Sequence, residues 1–190
     1  MTLRHSPLDA AHRALGAKMV PFGGWDMPIQ YGGVLEEHRA CREGAVVFDV
    51  SHLGSLRAGG ADVIPALQWA FTNDLDRIGP AKAQYTHLLD PDDAHVVDDI
   101  IVWWVDDERF DVMPNASNTS RVLDALGVGE DVTESRAIIA VQGSAVRLLL
   151  QLVSPEAASV GRSTRTCSTP TTRTSSTTSS SGGSSPSASS

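Results

Sequence analysis

Residues 95–104 read HVVDDIIVWW, and this stretch decides the fold class. Its β-branched and aromatic residues favour a strand. Similar runs lie on either side, QYTHLL at 84–89 and RFDVM at 109–113, and aspartate-rich turns separate the three. Strands joined by tight turns are antiparallel. Because helical patterns flank this meander, the sequence predicts an α+β fold with antiparallel sheets flanked by helices.

The remaining elements follow from helix caps, glycines and hydrophobic periodicity. Ser6 and Pro7 are typical of a helix start and predict a helix that ends at Gly16. Residues 19–33 hold two prolines and four glycines and predict an irregular aromatic loop. We expect further helices within 34–44, 61–71, 117–126 and 144–153, and strands within 45–51, near Leu56 and within 136–143.

Two adjacent aspartates interrupt the central apolar run. Side chains alternate across a strand, so Asp99 shares a face with Trp103, and Asp98 points to the other face. Both faces are otherwise apolar, which predicts a strand covered on both sides. An unpaired buried carboxylate is costly, so at least one acid needs a partner or a function. Either one aspartate projects into a pocket, where it binds a polar ligand or moves a proton, or one aspartate starts the strand near solvent and the other caps a turn or pairs with an arginine.

Composition excludes several classes of function. The chain has 190 residues and a formal net charge of -8, which argues against nucleic acid or an anionic membrane as a partner. Distant cysteines and the lack of a secretion signal favour a reduced, cytoplasmic protein. We expect no metal, because DPDDAHVVDD lacks the glycine and glutamate of a calcium loop. His52, His87 and His95 lack ligand spacing, and we expect surface or hydrogen-bonded histidines.

Four stretches together resemble the folate-dependent aminomethyltransferases, the T-protein family of the glycine cleavage system. They are GAKMVPFGGWDMPIQYGGVLEEHRACREGAVVFDVSHLG at 16–54, FTNDLDRIGPAKAQYTHLLD at 71–90, VVDDIIV at 96–102 and NASN at 115–118. The resemblance covers residues 6 to about 155.

The resemblance implies a folate site. The family's catalytic acid, the second of its paired aspartates, falls on Asp99, close to the reacting nitrogens of tetrahydrofolate. Tyr85, in the QYT stretch, and Asn115, in NASN, fall on other pocket positions. Leu53 stands where the family has Met, and Trp103 where it usually has Tyr. These two departures keep size and apolarity, so they affect specificity more than folate binding.

The resemblance also implies a three-lobed fold with folate in a central hole. Residues 51–134 match its second, ferredoxin-like lobe, as strand, helix, meander, helix and strand. Residues 1–50 and 135–160 match part of the first lobe, so we expect exposed apolar strands around VVFDV and AIIAV. The Ser/Thr-rich residues 161–190 predict a disordered tail. The tail is either a natural flexible segment or the product of a truncation or lost reading frame. Because the family chain is about twice as long, we favour the second interpretation and expect little activity.

In the family's reaction, a folate nitrogen attacks the aminomethyl carbon carried on the lipoyl arm of a carrier protein, and ammonia leaves. The resemblance therefore implies tetrahydrofolate as co-substrate and the lipoyl carrier protein as partner. Three alternatives remain: a folate-dependent demethylase of the same superfamily, a non-catalytic folate-binding relative, and an α+β domain without a ligand.

Overall fold

The computed structural model describes residues 2–154, which form three β-sheets and five α-helices. In chain order the elements are β1 (Arg4–His5), α1 (Asp9–Ala14), β2 (Lys18–Phe22), β3 (Trp25–Gln30), α2 (Val34–Glu43), β4 (Val46–Asp49), β5 (Leu56–Gly59), α3 (Val63–Ala70), β6 (Lys82–Leu89), β7 (Val96–Asp106), β8 (Arg109–Met113), α4 (Thr119–Leu126), β9 (Glu130–Asp131), β10 (Ile139–Gln142) and α5 (Val146–Val153). The tail expected at 161–190 lies outside the described residues. Within residues 2–154, no helix has the length and apolarity needed to cross a membrane.

The first sheet contradicts the loop predicted over residues 19–33. β2 and β3 pair as an antiparallel hairpin, and β1 adds to the other edge of β3 in parallel. Gly23 and Gly24 have φ of 56° and 84°, so they supply the left-handed turn that joins the strands. Pro21 lies on the edge strand β2, and Pro28 lies beyond the two residues that β1 pairs with. The prolines therefore interrupt few strand hydrogen bonds, which is why a hairpin tolerates them.

The helix predicted to begin at Ser6 and Pro7 begins later, at Asp9. The Ser6 hydroxyl accepts a hydrogen bond from the backbone N–H of Leu8 at 3.1 Å and donates one to Asp49. It therefore stabilises the turn before α1 and a contact with a distant strand.

The second sheet contains only β4 and β10, paired antiparallel. The strand predicted within 136–143 thus pairs with the strand predicted within 45–51. Val47, Phe48 and Ile139 expose 55%, 44% and 53% of their surface, as expected for these two apolar strands. This pairing supports the proposal that residues 1–50 and 135–160 belong to one lobe.

The third sheet is five-stranded and fully antiparallel, in the order β6-β7-β8-β5-β9. The predicted α+β class and the predicted meander are confirmed. Without β6, the order β9-β5-β8-β7, with α3 and α4 as crossovers, is that of two split βαβ units, the ferredoxin-like arrangement. The closing strand of this unit is the short β9. The bounds 51–134 for a second lobe stay a proposal.

The core lies on one face of this sheet. Asp98, Ile100 and Val102 of β7 are at most 3% exposed, and they point toward a cluster that includes Leu67 of α3 and Val122 of α4. On the opposite face Asp99 is exposed. The expectation that β7 is covered on both faces is therefore wrong for the described residues, because both crossover helices pack on the same side.

Candidate functional site

Asp98 is a buried acid that organises the turn after β8. Its carboxylate accepts hydrogen bonds from the backbone N–H of Asn115 at 3.0 Å, from the Asn115 amide at 2.7 Å and from the Asn118 amide at 3.2 Å. These three bonds come from uncharged donors and compensate for the burial of the carboxylate. Asp98 therefore has a structural role: it holds the turn after β8 from the strand face opposite to that of Asp99.

Asp99 lies on the exposed face, beside the first residues of the same turn. The Tyr85 hydroxyl donates a hydrogen bond to one carboxylate oxygen, and the Asn115 amide donates to the other at 2.7 Å. His87 pairs directly across from Asp99 on β6, and its ring lies edge-on to Tyr85 with centroids 5.4 Å apart. The alternation predicted for the acid pair is confirmed, yet one amide, that of Asn115, contacts both carboxylates.

These contacts favour the ionised form of Asp99. The hydrogen bond from Tyr85 lowers the pKa of Asp99 below its ordinary value, and the bond from Asn115 adds to this. Partial burial opposes the shift but does not cancel it. Asp99 is therefore a carboxylate at neutral pH. It suits accepting hydrogen bonds and stabilising positive charge, and it does not suit donating a proton.

A cavity of about 500 Å³ opens beside the two aspartates. Four segments form its wall: the β2–β3 turn, the connection after β4, the start of β7 and the turn after β8. The lining residues are Phe22, Gly23, His52, Leu53, Val96, Val97, Asp98, Asp99, Asn115, Ala116, Ser117 and Asn118. The volume is in the range typical of small-molecule sites, and the wall combines apolar side chains with a few polar groups.

The structure brings together four of the five site residues implied by the resemblance. Leu53, Asp99 and Asn115 line the cavity, and Tyr85 joins them through its bond to Asp99. Trp103 lies on the same sheet face, paired with Ala83 and with Asp111, but it is not among the residues that line the cavity. Trp103 lies four positions after Asp99, which corresponds to about 13 Å along β7.

His52 is a cavity residue that the sequence did not indicate. Its ring packs edge-on against Phe22, with centroids 5.2 Å apart, and its Nδ1 is buried without a hydrogen-bond partner in residues 2–154. Burial lowers the pKa of His52, and the nearby Asp49 carboxylate opposes this shift only partly. His52 is half-buried, and the expectation of a hydrogen-bonded histidine is not met for its Nδ1. Its place directly before Leu53 was the only indication available.

Asn118, the last residue of the NASN stretch at 115–118, is a further cavity residue that the sequence did not indicate. Its amide donates to the Val97 carbonyl at 3.1 Å as well as to Asp98. The spacing of the two asparagines, three residues apart in one turn, was the available indication that both contact the same strand.

Among residues 2–154, two groups of carboxylates and histidines lie close enough together to hold a metal ion, and neither lines the cavity. In the first, Arg13 already contacts Asp9 at 3.0 Å and Asp26 at 2.5 Å. The second comprises Asp90, Asp93 and His95 in the exposed turn before β7. Exposed acidic groups of this kind are common without a metal, so neither group supports a metal centre.

The family model of the GCVT N-terminal domain matches residues 8–169. The chain belongs to this family. It is 45% identical over 148 residues to an aminomethyltransferase of Mycobacterium avium (strain 104), an alignment covering 74% of this chain and 40% of that protein. It is 43% identical over 157 residues to an aminomethyltransferase of Deinococcus deserti, covering 78% and 44%. The chain thus spans about two fifths of the length of these curated relatives.

A solved structure shows the same fold. The crystal structure of the glycine cleavage system aminomethyltransferase T from Bartonella henselae matches with a TM-score of 0.69 and 29% identity, over 78% of this chain and 43% of that one. The resemblance to the T-protein family is therefore confirmed. The family assignment covers the acid pair, the turn at 115–118 and the cavity between them.

Proposed function

We propose that this chain carries the folate cavity of an aminomethyltransferase of the glycine cleavage system. The observation that carries the proposal is the Asp99 carboxylate, which accepts hydrogen bonds from Tyr85 and Asn115 at the wall of a cavity of about 500 Å³. The reaction transfers an aminomethyl carbon from a lipoyl carrier protein to tetrahydrofolate and releases ammonia. Tetrahydrofolate is a co-substrate in this proposal.

The cavity suits a reduced pterin ring. Phe22, Leu53, Val96 and Val97 offer apolar contacts to the faces of a bicyclic ring, and Asp99 offers an acceptor for its N–H groups. An ionised acceptor forms stronger hydrogen bonds than a neutral one. The site therefore favours a ligand with an apolar ring plane and nitrogen donors at one edge.

Asp99 would orient the reacting nitrogen and stabilise positive charge that develops on it when the nitrogen attacks the aminomethyl carbon. Tyr85 and Asn115 hold the two carboxylate oxygens, so the orientation is fixed before the ligand binds. Preorganisation of this kind lowers the cost of aligning two reactants. Because Asp99 is already ionised, we assign it no role as a proton donor.

Trp103 remains a proposed ligand contact, although it lies away from the cavity. It shares the exposed sheet face with Asp99, so a ligand that extends out of the cavity along this face would reach it. A change at Trp103 is then expected to alter affinity for long ligands more than affinity for the pterin ring alone.

In this proposal the protein works in the cytoplasm, and its partner is the lipoyl carrier protein. It binds neither nucleic acid nor a membrane. The net charge of -8 supports the absence of polyanionic partners. A folate-dependent demethylase is the second candidate, because Leu53 and Trp103 depart from the family's usual residues at the site. Dependence of turnover on the carrier protein separates the two reactions.

A binding titration tests the site. Tetrahydrofolate is titrated into the chain and into two variants, Asp99→Asn and Asp107→Asn, by calorimetry under anaerobic conditions. Loss of hydrogen bonds to a charged group predicts a Kd at least about tenfold higher for Asp99→Asn. Asp107 is an exposed turn residue, so Asp107→Asn removes the same charge away from the cavity and should keep the wild-type Kd. A folded wild-type chain that does not bind tetrahydrofolate would contradict the proposal.

A further inference from the structure

Asp49, another acid with a buried side chain, lies at the end of β4, outside the candidate site. Its side chain is 1% exposed. It accepts hydrogen bonds from the Ser6 hydroxyl, from His12 Nε2 at 2.7 Å and from the backbone N–H of Ser51 at 2.9 Å. Burial raises the pKa of Asp49, but the bonds from Ser51, Ser6 and His12 together bring it below the ordinary value. Asp49 is therefore an ionised anchor that joins several segments.

His12 extends this contact to a third segment. Its side chain is 9% exposed, and its Nδ1 lies 2.6 Å from the Tyr31 hydroxyl. Since Nε2 must donate to the Asp49 carboxylate, Nδ1 of a neutral ring accepts from Tyr31. The chain of contacts Tyr31–His12–Asp49 thus links the loop after β3 to α1 and to the end of β4.

The segment after Asp49 leads directly into the cavity wall. The Val50 N–H donates to the Ile138 carbonyl at 2.9 Å, and the Ser51 hydroxyl accepts from the Ile138 N–H at 2.9 Å. At the other end, the Gly54 N–H donates to the Pro114 carbonyl at 2.9 Å. Residues 50–54 are therefore fixed at both ends.

The two cavity residues lie between these fixed ends. His52 and Leu53 contribute the wall formed by this segment, and the Leu53 N–H donates to the Val50 carbonyl at 3.0 Å. Pro114 directly precedes Asn115, the residue that holds both aspartates of the acid pair. A displacement at Asp49 would therefore move the wall and would strain the turn that orients Asp99.

We infer that Asp49, held by Ser6 and His12, is a positioning residue of the ligand cavity: it fixes residues 50–54 and thereby places His52 and Leu53 in the wall that Asp99 shares. The identity of the ligand rests on the proposed function, whereas the placement of the wall does not. Asp49 acts only through residues 50–54 and contacts no reacting atom.

Amide hydrogen exchange in the ligand-free chain tests the placement. In Asp49→Asn, opening of the segment predicts exchange at least about tenfold faster for the amides of Leu53 and Gly54, and unchanged exchange for Ile100 in the core of the third sheet. The matched control is Asp62→Asn, because the exposed Asp62 precedes α3 and its side chain makes no capping hydrogen bond. Unchanged exchange at Leu53 and Gly54 in Asp49→Asn would overturn the inference.

Asp49→Asn could unfold the whole chain, in which case amide exchange at Ile100 would also become faster. A milder variant covers this case. Tyr31→Phe removes only the outer hydroxyl of the contact chain. Amide exchange at Leu53 and Gly54 should again become faster, by a smaller factor than in Asp49→Asn, and exchange at Ile100 should stay unchanged. If the Leu53 amide exchanges at the same rate in Tyr31→Phe as in the wild-type chain, the inference is overturned.

Tetrahydrofolate binding separates the inference from the proposed function. If the wild-type chain binds, Asp49→Asn should raise the Kd about tenfold, as expected for a cavity with a displaced wall. A wild-type Kd in Asp49→Asn, together with faster Leu53 exchange, would overturn the positioning role. If the wild-type chain does not bind, the proposed function fails, and the exchange rates alone decide the role of Asp49.

Discussion

Asn115 donates twice to Asp98, through its backbone N–H at 3.0 Å and its side-chain amide at 2.7 Å. The same amide nitrogen lies 2.7 Å from a carboxylate oxygen of Asp99. The buried acid therefore fixes the asparagine that orients its exposed neighbour. The two adjacent acids of one strand thus have different roles. Asp98 stabilises the turn, and Asp99 faces the cavity.

The first prediction concerns the buried acid. Asp98→Ala leaves the donors of Asn115 and Asn118 without their acceptor in a buried site. We expect the free energy of unfolding to fall by about 2–4 kcal/mol. Urea denaturation followed by circular dichroism measures this change. Asp107→Ala, in an exposed turn, should stay within about 0.5 kcal/mol of wild type, and an equal effect of both changes would exclude the role assigned to Asp98.

The second prediction concerns the ionisation of Asp99. Tyr85→Phe removes the hydroxyl that contributes most to the lowered pKa of Asp99, so this pKa should rise toward the ordinary value of about 3.9. A carboxyl group whose pKa is lowered in the folded state stabilises the fold above its unfolded pKa, and that stability disappears as the pH falls through the folded pKa. The variant should lose this contribution.

Carbon NMR of the Asp99 carboxyl across an acid titration measures the shift directly. Asn115→Ala serves as the comparison, since its bond to Asp99 is the smaller of the two side-chain contributions. If the titration midpoint of Asp99 is the same in Tyr85→Phe and in wild type, the hydrogen bond does not set the ionisation of Asp99.

The sequence predicted the placement of the acid pair because a strand has a strict two-residue period, which puts Asp98 and Asp99 on opposite faces whatever the partners are. It did not predict that α3 and α4 pack on the same face, since that depends on the order of strands in the sheet. The hairpin of β2 and β3 was missed for a local reason. Prolines and glycines usually mark loops, but here Gly23 and Gly24 form the turn itself.

The site was predictable to a similar extent. The resemblance placed Leu53, Asp99 and Asn115, which do line one cavity. The place of His52 in the cavity wall could not be predicted without the β2–β3 hairpin. Its ring packs against Phe22 of that hairpin, which lies thirty positions earlier in the sequence. The Asp49 contacts depend on residues from three separate segments, and no local pattern brings such residues together.

The third prediction is a pH dependence caused by His52. Burial lowers its pKa below the ordinary 6.5, so the unfolded chain takes up a proton at a higher pH than the folded chain does. Stability is therefore undiminished well above pH 6.5 and falls as the pH drops from 6.5 toward the folded pKa. His52→Gln should reduce the loss of unfolding free energy between pH 7.5 and pH 5.5.

Urea denaturation at these two pH values gives the comparison. His38→Gln is the matched control, because His38 is exposed on α2. The control should show the same difference between the two pH values as wild type. If unfolding free energy differs between the two pH values by the same amount in His52→Gln as in wild type, another group causes the pH dependence.

The fourth prediction concerns the close packing at Gly54, where the segment after Asp49 meets the turn at 115–118. A Cβ at this position would overlap Thr119 Oγ1 and would lie 2.6 Å from Pro114 Cγ. The Thr119 side chain can rotate away, but the proline ring has little freedom, so the backbone must move. We expect Gly54→Ala to lower the free energy of unfolding by about 1–3 kcal/mol, the usual cost of overpacking.

Gly79→Ala separates this overlap from the general effect of replacing glycine, because a Cβ at Gly79 meets nothing within 4 Å. That variant should be neutral or slightly more stable, since alanine restricts the unfolded chain. The backbone shift at Gly54 must pass to Pro114 and then to Asn115, which orients Asp99. Gly54→Ala should therefore also shift the NMR signals of the Asn115 amide, whereas Gly79→Ala should not. Equal stability of the two variants, or an unchanged Asn115 signal, would show that residue 54 does not transmit its position to the acid pair.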